Sequence, residues 1–159
     1  MLVNYTDQIL KQPAARFDFN DPPVDPIELA HELAKAMMEY GGIGLAANQL
    51  GYPYRVFAIH ANPILVCYNP VIVDKTSASV TLDEACLTFP GLSVMVKRPE
   101  SIKVRYTEPN GNTVTTKFTG MSARIFQHEY DHLEGLTMLD ACNFMERERA
   151  KKRWKLLCR

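Results

Sequence analysis

The chain has 159 residues, of which 47% are hydrophobic, so we expect one compact domain over residues 1–159 that buries a catalytic helix without disulfides or oligomerisation. Its formal net charge of +0 excludes electrostatic binding of DNA or of an acidic membrane by the chain as a whole. The sequence has no secretory signal, no long apolar run and no C-x-x-C pair, which predicts a cytoplasmic protein whose cysteines form no disulfide framework.

The first predicted element is a helix that begins at Pro26. Asp25 is suited to cap it, proline is favoured in the first helical turn, and Glu28 completes the pattern of a capping box. The glycine pair after Tyr40 is expected to end the helix. The helix would pack through an apolar stripe formed by Ala30, Leu33, Ala34 and Met37.

Residues 55–118 contain short β-branched and aromatic runs separated by Pro, Asn and Gly, a pattern that predicts antiparallel strands. The clearest pair is residues 101–108 and 113–118, which flank the sequence PNGN. Asn-Gly suits the primed turn of a β-hairpin, so we predict a hairpin here.

A second helix is predicted after Gly120 and contains the sequence QHEYDHLEG, with an H-E-x-x-H arrangement. At about 100° per residue, His128, Glu129 and His132 share one helical facet, so both imidazoles can bind one metal ion. A glutamate is costly to bury without a function, which favours a metal site over two core histidines.

A third helix, from about Asn143 to Leu157, completes the order of predicted elements. Together they indicate an α+β fold in which antiparallel β-sheets pack around the central metal-binding helix, with an N-terminal helix and a short C-terminal helix.

The third metal ligand decides the class of hydrolase, because catalytic sites of this kind use three protein ligands and one open position. One class of zinc protease requires histidine at position 138, which is Met138 here. Glu146 or Glu148 would indicate a second class of metallopeptidase. Cys86 is the other candidate, at the end of a predicted strand and beside a Pro-Gly turn, although buried cysteines without a ligand role are common.

Three stretches together resemble the ordered motifs of peptide deformylases: GIGLAANQ (42–49), EACLT (84–88) and QHEYDHL (127–133). The second departs from the family pattern at Ala85, where glycine is usual, and at Thr88, where serine is usual. The segments between the motifs also fit, so the resemblance covers nearly the whole chain. It implies hydrolysis of the N-formyl group from nascent peptides that begin with formylmethionine, with release of formate.

The resemblance also implies a metal and a set of catalytic groups. One divalent ion per chain, Fe²⁺ in the family enzymes with Zn²⁺, Ni²⁺ or Co²⁺ as substitutes, would be bound by Cys86, His128 and His132. Such an ion acidifies a water molecule and polarises a carbonyl oxygen. Glu129 would be the acid–base residue, while the Gln49 amide and the backbone N–H of Leu87 would stabilise the oxyanion.

A substrate surface follows from the same resemblance. Gly44 and Ala85 would let an extended peptide approach the backbone and pair with it as an added strand. We predict an ordinary extended conformation at Ala85, because a positive φ would strain alanine. An ion pair of Glu84 with Arg98 is expected to brace the cysteine loop. The methionine pocket, or equally the core, would contain Ile43, Leu87, Phe89 and Ile125.

Residues 146–159 include seven basic and two acidic residues, a net charge of +5. This basic tail has two interpretations. It contacts ribosomal RNA near the nascent chain, or it is a solvated helix anchored by Phe144, Trp154 and Leu157.

Two other functions remain open for the whole chain. One is an H-E-x-x-H metallopeptidase that acts on unformylated peptides. The other is a catalytically silent binding module with a structural metal, against which the presence of both Glu129 and Gln49 argues.

Overall fold

A computed structural model describes all residues from Met1 to Arg159. The helices are α1 (Pro26–Glu39), α2 (Met121–Leu133), α3 (Met138–Ala141) and α4 (Phe144–Leu157). The strands are β1 (Gly44–Ala46), β2 (Val56–Ile59), β3 (Leu65–Lys75), β4 (Ser79–Ala85), β5 (Ser93–Pro99), β6 (Ser101–Thr107) and β7 (Thr113–Thr119). The predicted α+β fold is confirmed. None of the helices has the length and apolar character that a membrane crossing requires.

The strands form two antiparallel sheets. Five of them pair in the order β1-β2-β3-β6-β7, and β4 and β5 form a separate two-stranded sheet. The predicted hairpin is present as β6 and β7, which pair from Ser101 opposite Thr119 to Thr107 opposite Thr113. Its turn includes Gly111 with a φ of 90°, which glycine adopts without strain.

Helix α1 covers one side of the large sheet. Its start is as predicted, with Asp25 accepting a hydrogen bond from the Glu28 N–H at 2.9 Å. Leu33 and Met37 of the predicted stripe are fully buried, whereas Ala34 is only half-buried. The stripe packs against side chains of β1, β2 and β3, and this contact forms one of the core clusters.

Helix α2 packs against strands of both sheets, so the residues on its surface are largely buried. Phe126 lies edge-on to Phe57 of β2, with ring centroids 4.9 Å apart. The helix ends at Leu133, and Gly135 follows with a φ of 74°. A Cβ at Gly135 would come within 2.8 Å of backbone atoms of Lys11, so this glycine of the motif has a packing role.

The C-terminal helix α4 has the predicted bounds to within one residue, and with 14 residues it is as long as α1. Its anchors differ in part from the prediction. The expected anchors Phe144 and Leu157 lie in its terminal turns and are 69% and 54% exposed. Trp154, the third expected anchor, is half-buried and does hold the helix, together with Ala150, which is fully buried and was not predicted. These two are four residues apart and therefore share the face that packs on the small sheet.

Candidate active site

Cys86, His128 and His132 lie together between the two sheets. One ligand atom of each lies within 4.8 Å of the other two, and Cys86 Sγ is 3.3 Å from His132 Nε2. Helix α2 supplies both histidines, and Cys86 directly follows β4. Metal–ligand bonds of about 2.0 to 2.3 Å bring such donors to within about 4 Å of one another, so the cluster fits one divalent ion with a fourth position open.

The electrostatics of the cluster favour the ligand form of Cys86. Burial opposes ionisation of the thiol, but the neighbouring His132 charge and hydrogen bonds with both imidazoles hold its pKa well below the usual value. The thiolate is the form that binds metals. One thiolate and two imidazoles suit several divalent transition metals, and this donor set does not choose among them.

Glu84 is the centre of a buried hydrogen-bond network behind the histidines. Its Oε1 accepts from His128 Nδ1 at 2.8 Å and from Arg98 Nη2 at 2.9 Å. Its Oε2 accepts from Arg98 Nε at 2.6 Å and from Arg124 Nη1 at 2.7 Å. Burial works against the charge, but these hydrogen bonds hold the pKa of Glu84 well below its usual value. Because Glu84 is ionised, His128 Nδ1 must carry a proton, which leaves Nε2 for the metal cluster.

Arg124 belongs to this network, although the sequence did not single it out. It also donates to the carbonyls of Val96 at 2.8 Å and Val80 at 2.6 Å, which ties both strands of the small sheet to α2. Arginine on a helix is usually exposed, but here it is 7% exposed. The available signal was its spacing from His128, because residues i and i+4 lie on the same helical face.

Glu129 is buried on the same face of α2 as the histidines. Burial raises the pKa of Glu129 to about 7, although the charges of His128 and His132 oppose the shift. Its Oε2 has no hydrogen-bond partner within the protein, so this oxygen can accept one from a substrate or a water molecule. A Cβ at Gly44 would collide with Glu129 Oε1, which explains the glycine at this close approach.

Gln49 is held in one orientation beside the cluster. Its Oε1 accepts from the Ala46 N–H at 2.9 Å, so its NH₂ group points away and donates to Thr88 Oγ1 at 3.0 Å. The same nitrogen is 3.7 Å from Cys86 Sγ. The backbone N–H of Leu87 lies outside the helices and strands and donates to no acceptor within the protein. The Leu87 N–H is therefore a free hydrogen-bond donor next to the metal cluster, whereas the Gln49 NH₂ group lies beside it with its two hydrogens directed at Thr88 and Cys86.

A cavity of about 530 Å³ opens over these groups. Phe89 and Ile125 are nearly buried in its wall, Leu87 is half-buried, and Ile43 is 55% exposed and so lies outside the core. Ala85 ends β4 with no positive φ, as predicted. The predicted substrate-binding residues all line this cavity: Ile43, Gly44, Ala85, Leu87, Phe89 and Ile125.

The other candidates for a third ligand are engaged elsewhere. Glu146 pairs with Arg153 at 3.1 Å, and Glu148 pairs with Lys151 at 3.0 Å, both on α4. The remaining histidines, His31 and His60, are exposed. The third donor beside the two motif histidines is therefore a cysteine and not a glutamate.

Related sequences cover nearly the whole chain. A family profile described as polypeptide deformylase matches residues 1–148. The chain is 36% identical to the peptide deformylase of Aquifex aeolicus over 98% of this chain and 95% of that protein. It is 32% identical to the peptide deformylase of Thermodesulfovibrio yellowstonii over 95% of this chain and 93% of that protein.

Solved structures share the fold. A Plasmodium falciparum peptide deformylase matches with a TM-score of 0.91 at 28% identity, over 99% of this chain and 95% of that one. A Synechococcus elongatus peptide deformylase in complex with actinonin matches with a TM-score of 0.89 at 32% identity, over 98% and 85% of the two chains. Profile, sequence and fold agree over the segments that carry the Cys-His-His cluster, and the chain therefore belongs to the polypeptide deformylase family.

Proposed function

We propose that Glu129, Gln49 and Leu87 carry out the hydrolysis of a terminal formamide in this protein. As a polypeptide deformylase, the chain is a metal-dependent hydrolase that removes the N-formyl group from nascent peptides. Water cleaves the C–N bond, and formate and a free α-amine are released. The observation that supports these roles most directly is the buried Glu129 carboxyl, which lies on the same helical face as the histidines of the Cys-His-His cluster and has one oxygen without a hydrogen-bond partner.

Cys86, His128 and His132 would hold the metal ion, for which their atoms and ionisation states are suited. When bound, the ion supplies an acidified water molecule and polarisation of the formyl oxygen. We take Fe²⁺ as the physiological ion, as the family resemblance implies, with Zn²⁺, Ni²⁺ or Co²⁺ as ions that the same donors accept.

Glu129 would move the protons of the reaction. As a carboxylate, it accepts a proton from the attacking water; as a carboxylic acid, it returns that proton to the amine nitrogen when the C–N bond breaks. Its pKa of about 7 keeps both forms accessible near neutral pH. The formyl oxygen becomes negative during the attack, and the Gln49 NH₂ group and the Leu87 N–H are the donors that would stabilise it.

The peptide would bind along the free edge of β1, the terminal strand of the five-stranded sheet. Gly44 in β1 and Ala85 at the end of β4 both border the cavity and are small enough for a backbone to approach. The methionine side chain would fill the apolar part of the cavity between Phe89, Ile125 and Leu87, with Ile43 at the rim.

The test compares metal-loaded wild-type protein with Glu129→Gln on formyl-Met-Ala-Ser. We expect the wild type to release formate and the variant to be about 10² to 10⁴-fold slower at unchanged metal content, because the amide cannot transfer the proton. Internal cleavage of unformylated peptides would instead indicate a metallopeptidase. No formate from wild-type protein that contains one ion per chain would refute the proposed function.

A partner for the basic tail can also be proposed. Arg149, Lys152 and Lys155 are exposed on α4, form no ion pair within the protein, and lie three residues apart in one stripe. Such a stripe fits the phosphates of ribosomal RNA. Reversing these three charges to glutamate keeps the anchors Ala150 and Trp154 and should abolish co-sedimentation with ribosomes at low salt. Unchanged co-sedimentation would show that the stripe is only solvated.

A further inference from the structure

Phe89, a residue of the cavity wall, is in contact with helix α4. The Phe89 ring lines the cavity and packs edge-on against Trp154, which is not a lining residue, with centroids 5.3 Å apart and ring planes at 82°. Tyr5, from the N-terminal segment, completes the group, with its centroid 5.2 Å from that of Trp154 and 6.1 Å from that of Phe89. Aromatic pairs have preferred geometries, so the rings of Trp154 and Tyr5 set the position of the Phe89 ring.

Further contacts link α4 to the loop that carries Phe89. Arg153 Nη2 donates to the Ser93 carbonyl at 2.8 Å. The methyl groups of Leu157 lie 3.8 Å from the position that a Cβ on Gly91 would take. The last turns of α4 therefore lie against the segment from Phe89 to Ser93, in which Phe89 and Gly91 line the cavity, and the aromatic contact to Phe89 is made by Trp154.

We propose that Trp154 is a positioning residue for substrate selectivity, because it holds the Phe89 ring against the methionine side chain without lining the cavity itself. This role rests on the proposed function, in which Phe89 is a wall of the methionine pocket. The indole N–H of Trp154 is buried without a hydrogen-bond partner, so the side chain acts through packing alone. A phenyl ring at position 154 should therefore preserve the effect, and a methyl group should not.

Selectivity between two substrates tests this role. We expect Trp154→Ala to reduce the ratio of kcat/KM for formyl-Met-Ala-Ser over formyl-Ala-Ala-Ser by about three- to tenfold, mainly through KM, because only the methionyl substrate fills the pocket. Trp154→Phe should restore the ratio to within about twofold. Leu156→Ala, on the same helix and 64% exposed, is the matched control and should leave the ratio unchanged. A purely structural role would lower the active fraction and both rates equally, and an unchanged ratio in Trp154→Ala overturns the proposal.

The chain contains a single tryptophan, so its emission gives a second readout that needs no turnover. Binding of Met-Ala-Ser to the metal-loaded wild type should change the Trp154 emission, and Ala-Ala-Ser should not, because only methionine presses on Phe89. This response in a protein that releases no formate would contradict the proposed reaction and support the role of Trp154. Formate release without any emission change, together with an unchanged ratio in Trp154→Ala, would support the reaction and refute the role.

Discussion

The Glu84→Gln substitution probes the network that orients His128. In the wild type, each carboxylate oxygen faces two donors: His128 and Arg98 at Oε1, and Arg98 and Arg124 at Oε2. An amide has an acceptor on one side only, so in either orientation its NH₂ group points at two donors. No rotamer change of the amide itself can satisfy the network.

The cost follows from the burial of the charges. The side chains of Arg98 and Arg124 are 7% and 8% exposed; Arg124 would lose its counter-charge, and Arg98 would keep only the more exposed Asp131. Breaking such a buried pair costs about 3 to 5 kcal/mol. For a chain of 159 residues this corresponds to a fall in Tm of about 6 to 20 °C. Loss of the partner of a metal-binding histidine also lowers metal affinity, by about 10 to 100-fold.

Two measurements check this expectation: thermal unfolding followed by circular dichroism, and competition with a chelator for the bound metal. Asp131→Asn is the matched control, because Asp131 contacts Arg98 at 2.8 Å but its side chain is 22% exposed and it does not contact His128. We expect that control to change the free energy of unfolding by about 1 kcal/mol or less. If Glu84→Gln unfolded within about 2 °C of wild type and kept its metal affinity within about twofold, the role assigned to this network would be wrong.

Three further predictions concern the cavity and the metal. Gly44→Ala should lower kcat by about 10²-fold, because the new Cβ displaces the Glu129 carboxyl. A kcat within about twofold of wild type would contradict the close approach of Gly44 to Glu129. Gln49→Leu should lower kcat by about 10² to 10³-fold at unchanged metal content; an unaffected kcat would assign oxyanion stabilisation to other groups. Removal of the metal by a chelator should lower Tm, since an ion at 100-fold its Kd contributes about 2.7 kcal/mol to the free energy of unfolding. Addition of Zn²⁺ or Ni²⁺ should restore the Tm. A Tm that does not respond to the chelator would exclude a stabilising ion.

The features predicted from sequence are those that depend on neighbours along the chain. The capping of α1 by Asp25, the hairpin of β6 and β7, and the shared facet of His128 and His132 all follow from residues within one element or one turn. Spacing left Cys86 and a glutamate open as third ligand. Only the resemblance of three separate motifs to one family favoured the cysteine, because its place beside α2 depends on the path of β4.

The remaining features depend on which elements share the same buried volume. Arg124 is buried because β4, β5 and Glu84 supply acceptors that its own helix does not. The anchors of α4 are Ala150 and Trp154 because these face the small sheet, whereas Phe144 and Leu157 at the ends of the helix are mostly exposed. The sequence by itself therefore determined most of the elements, although not β1 or α3, together with the motif helix and the family. The tertiary structure decided how burial tunes the Glu129 carboxyl and which distant residues support the cavity, because desolvation and packing are properties of the assembled core and not of the spacing along the chain.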